Sequence, residues 1–186
     1  MKDLIFKPET HEYHFKHKRV PGVSEILQDN RLVDTQYFTE KSRKRGKLVH
    51  QITEWFDRGE LEESSVDPLL VGYFEAYKSF RATIPIKIMK IEEPTYNHQW
   101  GYAGTPDRLF YTEAKGKAIL SIKTGVRFDW HILQETGYQF CYKDLPKIFS
   151  LYLKDNGAYK YEEIKPDSLN WLAAVMMYKW RNRENG

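Results

Sequence analysis

The sequence predicts an α/β fold, a sheet layered with helices. Three observations carry this reading. Helical spacing of apolar residues dominates residues 35–58 and 67–80. The pattern then switches to period two at Ile84, Ile86 and Ile88. A helical stretch at about 130–142 sits between strand-like runs at 118–123 and 148–153, as a crossover helix would. A length of 186 residues fits one domain over 1–186, and 41% hydrophobic residues suffice for a core. That composition excludes a largely disordered chain.

The elements follow in order. Leu4-Ile5-Phe6 and then Tyr13 with Phe15 predict a hairpin around the turn-prone Pro8-Glu9-Thr10. Pro21-Gly22 breaks the chain, and Ser24 can cap a short helix through Leu27. A long helix is expected from about Thr35 to Arg58, closed by Gly59, with Leu48, Val49, Ile52, Trp55 and Phe56 on its apolar face. Asp67-Pro68 should start a second helix bearing Leu70, Phe74, Tyr77 and Phe80. The isoleucine strand begins at an edge, because Pro85 lies in it, and should end by about Tyr96. Tyr102–Tyr111 and Ala118–Lys123 read as two more strands of a three-stranded meander, joined at Lys115-Gly116. Strands are expected at Ile148–Leu153 and Ala158–Ile164. Asp167 or Ser168 then caps a last helix with Leu169, Leu172, Val175, Met176 and Trp180.

Composition narrows the function. No run approaches the roughly 18 apolar residues of a membrane span, and the start carries no signal-peptide pattern. The single cysteine, Cys141, excludes an internal disulfide, a four-cysteine zinc site and a four-cysteine iron–sulfur cluster. An intracellular protein is expected. Net charge is only +3, but five of the seven residues 41–47 are basic: Lys41, Arg43, Lys44, Arg45 and Lys47. Aromatics make up 15%. Clustered cations with aromatic faces suit single-stranded nucleic acid, and they equally suit a solvated helix face over an aromatic core. His11, His14 and His17 do not suggest zinc, since alternate strand residues face opposite ways.

Chemistry concentrates around Glu92, Gly104-Thr105-Pro106-Asp107 and Ser121-Ile122-Lys123. On a strand, Ser121 and Lys123 share one face, and Asp107 can reach it from the neighbouring strand. A carboxylate beside an ammonium is the minimum for holding a divalent cation and steadying an attacking water. A surface Asp–Lys pair gives the same pattern.

This cluster resembles the PD-(D/E)XK nuclease superfamily, whose signature is Pro-Asp, a gap, then acid-x-Lys. Pro106-Asp107 supplies the first half and Ser121-Ile122-Lys123 the second. Lys123-Thr124-Gly125 and Gln134-x-x-x-Tyr138 are similar to motifs of the RecB-like branch, as is Gly46-x-x-x-His50 upstream. Glu92 stands fifteen residues before Asp107, where related phage and mitochondrial exonucleases place a glutamate. His11-x-Tyr13 with Val20-Pro21-Gly22-Val23 resembles the start of phage-type members.

The resemblance implies a restriction-endonuclease-like core, a mixed central sheet flanked by helices. It implies a metal-dependent DNA exonuclease, with DNA that is single-stranded or has free ends as partner. Asp107, His50, Glu92 and the main-chain carbonyl of Ile122 would bind Mg²⁺ or Mn²⁺. Lys123 would orient the attacking water, and Gln134, Tyr138, Arg127 and the Arg43-Lys44-Arg45 run would face DNA. One position departs from the pattern: Ser121 stands where the family has an acid, and a neutral hydroxyl is a poor ligand for a hard cation. Metal affinity and activity should fall. Three explanations stand open: a natural inactive relative kept for DNA binding or assembly, another acid in its place (Glu92 or Glu135), or a deliberate change.

Overall fold

The computed structural model describes residues 3–33 and 39–183. Strands β1 (Leu4–Lys7), β2 (Glu12–Phe15) and β3 (Lys18–Val20) form a small antiparallel sheet. The third strand was not expected. Its turn consists of Lys16 and His17, both at positive φ (48° and 66°), the backbone a two-residue hairpin requires. Neither is the glycine or asparagine that normally announces such a turn. Helix α1 (Val23–Asp29) follows Gly22.

Helix α2 spans Glu40–Arg58. The Thr39 hydroxyl accepts from the Ser42 N–H at 3.1 Å, and Gly59 ends the helix at φ 72°. The earlier start expected at Thr35 lies outside the described residues. Helix α3 (Val71–Thr83) begins later than Asp67-Pro68 suggests. Asp67 instead accepts from the Leu69 N–H at 2.9 Å, so residues 67–70 form a turn.

The remaining elements are β4 (Lys87–Ile91), β5 (Thr95–Asn97), β6 (Tyr102–Gly104), β7 (Arg108–Thr112), β8 (Gly116–Lys123), α4 (Asp129–Gln139), β9 (Lys147–Leu153), β10 (Tyr159–Ile164) and α5 (Ser168–Arg181). The central sheet runs β10-β9-β8-β7-β4. Within it only the β8–β9 pair is parallel, with α4 as its crossover; the others are antiparallel. The expected meander is therefore β4, β7 and β8, with one correction. The strand foreseen at 102–111 breaks at Thr105-Pro106-Asp107 into β6 and β7, and β4 ends at Ile91 rather than Tyr96. Proline cannot donate to a ladder, and Glu92 leaves the strand at φ 47°. The freed pieces, β5 and β6, pair with each other as a separate ribbon.

Alternation along the strands makes two cores. Phe110, Leu120, Ile122, Phe149 and Leu151 face α2 and α3. Leu109 and Ile119 face α1, α4 and α5, together with Trp171 and Val175. On α5 the buried residues are Trp171, Ala174 and Val175, whereas the apolar residues Leu169, Met176 and Trp180 are exposed. Gly137 of α4 is required by this packing, because a Cβ there would lie 2.8 Å from the Trp171 ring. Among the described residues no helix is long and apolar enough to cross a membrane.

Candidate active site

The break between β6 and β7 carries the first site residue. Asp107 leaves the ladder just after Pro106, and its Oδ2 accepts from the Ile122 N–H of β8 at 2.6 Å. Its Oδ1 lies 3.4 Å from Nδ1 of His50, on α2. The same nitrogen lies 3.5 Å from Oε1 of Glu92. The Glu92 N–H donates to the Asp107 carbonyl at 3.0 Å, which ties the two acids together through the backbone. One ligand atom from each of His50, Glu92 and Asp107 falls within 4.8 Å of the others.

The charges at this cluster are strongly coupled. Burial disfavours the His50 cation, yet the Asp107 and Glu92 carboxylates outweigh it and push its pKa up to about 10. Burial likewise opposes the Asp107 anion, but His50, Lys123 and the Ile122 N–H hold it down at about 2. Glu92 is raised, mainly by burial. Its Oε1 is buried and makes no hydrogen bond among the described residues. Two carboxylates, one with an oxygen that makes no hydrogen bond among the described residues, and an imidazole nitrogen form a donor set that fits a divalent cation of the Mg²⁺ or Mn²⁺ kind.

Beneath the cluster lies a residue that sequence reasoning missed. Arg108 is fully buried. Its Nε donates to Asp57 Oδ2 at 2.6 Å, Nη1 to the Asp107 carbonyl at 2.7 Å, and Nη2 to Thr53 Oγ1 at 3.3 Å. Nη1 also lies 3.6 Å from Glu92 Oε1. Asp57 in turn pairs with Arg81 and accepts from the Tyr77 hydroxyl at 2.5 Å. The available signal was an arginine directly after Pro-Asp, on the strand face that carries Phe110 into the core.

Across β8, Ser121 and Lys123 share the face toward α4, as their spacing requires. Lys123 Nζ donates to Gln134 Oε1 at 2.7 Å, and Gln134 Nε2 donates to Ser24 Oγ at 3.5 Å. Ser121 is fully buried, and its hydroxyl has no hydrogen-bond partner among the described residues. Beside it lies Glu135 of α4, also fully buried. One Glu135 oxygen accepts from the Ser150 hydroxyl at 2.5 Å, while the other is unpartnered among the described residues. Burial raises the Glu135 pKa against the pull of Lys123.

The other expected residues divide. Arg43 and Arg45 line a cleft of about 460 Å³ together with His50, Ile122, Lys123 and Gln134. Arg45 Nη2 is anchored on the Thr124 carbonyl at 3.2 Å. Lys44 turns away with Lys41, into a groove containing Asp67 and Asp155. The basic run thus borders two surfaces, and Arg45 lines both. Gln134 lines the cleft, but Tyr138, expected beside it on the DNA side, is buried in the core. Its ring covers Gly104, where a Cβ would lie 2.8 Å away. Arg127 is exposed, and its Nη1 donates to Glu162 Oε1 at 3.4 Å.

No family model matches the sequence, and no curated protein matches it. Among solved structures, the chain is similar to an alkaline exonuclease (LHK-Exo) from Laribacter hongkongensis. The TM-score is 0.51 at 12% identity, over 88% of this chain and 76% of that one. The structure of SSO0001 matches at a TM-score of 0.40 and 12% identity, over 84% and 81% of the two chains. The five-stranded mixed sheet flanked by helices, with the first of these matches, makes the fold restriction-endonuclease-like.

Proposed function

We propose that the protein is a metal-dependent deoxyribonuclease that hydrolyses phosphodiester bonds from DNA ends, with Glu135 supplying the acid absent at position 121. The observation that carries this is the convergence of His50, Glu92 and Asp107 within 4.8 Å, at the end of the strand that presents Lys123. The similar solved structure is an alkaline exonuclease, which favours DNA with free ends as the substrate class.

His50, Glu92 and Asp107, with the Ile122 carbonyl, would hold Mg²⁺ or Mn²⁺. When bound, such a cation lowers the pKa of a water and offsets charge on the phosphate. The residues around it supply position and charge. The Ile122 N–H fixes Asp107, and Gln134 holds the Lys123 ammonium in the cleft. Lys123 there orients the attacking water and stabilises negative charge developing on the phosphate oxygens. Arg43 and Arg45 attract the backbone along the same cleft.

Glu135 accounts for the departure at Ser121. A side chain from α4 reaches the space that an acid on β8 would occupy, and the small serine leaves room for it. The second Glu135 oxygen makes no close hydrogen bond among the described residues, and the Ser121 side chain helps hold the carboxyl's pKa down.

Cleavage of linear DNA in Mn²⁺ tests the reading. Glu135→Gln should lower the rate about a thousandfold, the equivalent of ~4 kcal/mol. Ser121→Asp alone sets a second carboxylate against a buried one and should bring no gain. Combined with Glu135→Gln it should restore much of the activity. Full activity in Glu135→Gln refutes the role of Glu135. Salt-dependent DNA binding without any cleavage, in Mg²⁺ or Mn²⁺, would instead identify a nuclease fold retained for binding.

A further inference from the structure

We infer that the outer face of α5 is a self-association surface, on which a second copy of this chain packs its own α5 antiparallel across a two-fold axis. Helix α5 carries two apolar faces. Trp171, Ala174 and Val175 point into the core. Leu169, Ala173, Met176 and Trp180 run along the outside. Of these, Leu169 is 80% exposed, Trp180 60% and Met176 53%, and Ala173 is exposed as well. One apolar face suffices to dock a helix on its core. A second face left in water marks a contact surface. Beside this stripe lies a groove of about 720 Å³, lined by Leu32, Leu133, Ala173 and Met177 among others. Each copy thus offers both a ridge and a recess, as a self-complementary interface requires.

Spacing identifies the occupant. The four outer residues are separated by four, three and four positions, the repeat of a helix seam that meets another helix. That series reads the same in both directions. Laid antiparallel, a second α5 sets its Trp180 against Leu169 and its Met176 against Ala173, so that large meets small at the axis. Laid parallel, it would stack Trp180 on Trp180 and leave a gap between paired alanines. Charge favours the same arrangement. Asp167 caps the first turn, while Lys179 and Arg181 occupy the last turn, with Arg183 just beyond. Antiparallel packing brings the acidic end of each helix to the basic end of the other, and it also opposes the two helix dipoles. The 14 residues of α5 span about 21 Å. Even widened by the groove, such a contact falls at the small end of specific interfaces, so a dissociation constant of about micromolar is expected. None of the four stripe residues lines the cleft that holds Lys123, so association is separable from the chemistry proposed there.

Sedimentation of the full chain over a concentration series, without DNA, reads the association directly. The wild type should pass from monomer to dimer. Met176→Glu sets two carboxylates close to the axis and should weaken the dimer about tenfold or more. Met176→Leu should retain it. Because residue 176 is exposed, circular dichroism and the unfolding midpoint of the dilute protein should not move in Met176→Glu. That separates lost association from lost folding. Cysteine pairing reads the register, in a Cys141→Ser background. A mixture of Leu169→Cys chains with Trp180→Cys chains should form a disulfide between chains on oxidation, and neither alone should. A wild type that stays monomeric up to about a millimolar overturns the inference. So does a trimer, a dimer that Met176→Glu leaves intact, or cross-linking within either cysteine variant alone.

Discussion

Two sets of carboxylates meet at β8, and they are built in opposite ways. Asp107 and Glu92 sit where regular structure fails, one after a proline that breaks a strand and the other at φ 47°. Glu135 sits inside a regular helix, over Ser121 and Ser150, which are register partners on β8 and β9. The first set reaches solvent through Glu92, whose side chain is 28% exposed, while the Asp107 side chain is 13% exposed. The second set is sealed. Irregular backbone is what lets acids from two strand ends and a histidine from a helix converge. The buried acid needs only that some element near the spot can reach it. Such an acid can change elements while the fold stays the same.

The comparison breaks most sharply at the residue both sets share. Lys123→Ala should abolish cleavage of linear DNA, a loss of roughly a thousandfold or more. The unfolding midpoint should fall as well, since Lys123 offsets the Asp107 and Glu135 carboxylates besides bonding to Gln134. A rate within about tenfold of wild type would contradict its assigned role.

The next effect separates the irregular set from its support. Arg108→Met leaves Asp57 buried with Arg81 as its remaining cation and strips the Asp107 carbonyl of a donor. Removing one member of a buried pair costs about 3–5 kcal/mol. Urea unfolding should show that loss, and calorimetry should show weaker Mn²⁺ binding. Unchanged Mn²⁺ affinity in the folded fraction would mean Arg108 supports the fold alone. On the sealed side, Ser150→Ala should cost about 1–3 kcal/mol by removing the hydroxyl bonded to Glu135.

A pH-dependent effect lies at His131, on the edge of the cleft. Burial, with Lys123 and Arg127 facing it and the Tyr152 hydroxyl 3.4 Å from Nδ1, keeps the His131 pKa at about 3, against 6.5 when unfolded. Between these values the unfolded chain binds the extra proton. Stability should therefore fall as pH drops below 6.5, by up to about 1.4 kcal/mol per unit, and level off near 3. His131→Phe should flatten that part of the stability profile. A profile as steep as wild type would place the acid sensitivity elsewhere.

The smallest effect tests the basic run. Replacing Arg43 and Arg45 by alanine should reduce the salt slope of DNA binding by about one for each phosphate left without its cation. Replacing Lys41 and Lys44 should change it less, because they line only the other groove, which Arg45 shares. Equal changes would show that DNA tracks both surfaces.

Much of this architecture was legible in local pattern. The Gly59 stop, the Asp167 cap and the 130–142 helix each map onto an observed element, because spacing and capping act within a few residues, whereas of the period-two isoleucines only Ile88 lies in β4. Asp107, Lys123 and His50 were legible as a set through their motifs. Arg108 and Asp57 were not, since a charged residue carries no local sign that it will be buried with a partner 51 positions away. Tyr138 failed for a related reason. Spacing places it on one helix with Gln134, but which side of that helix meets the core depends on Gly104 and Val23 packing against its ring.

Ser121 marks the division most clearly. By itself the sequence determined that an acid was absent from a strand face shared with Lys123, because side chains alternate along a strand whatever surrounds it. It also determined that Glu92 and Glu135 were the acids within reach in the motif order. Only the tertiary structure gave them different places. Glu92 joined His50 and Asp107 at the open end of β8, and Glu135 came down from α4 onto Ser121. The angle and depth at which a helix crosses a sheet come from the packing of Trp171, Gly137 and Val23 around it, and no spacing along the chain encodes that distance.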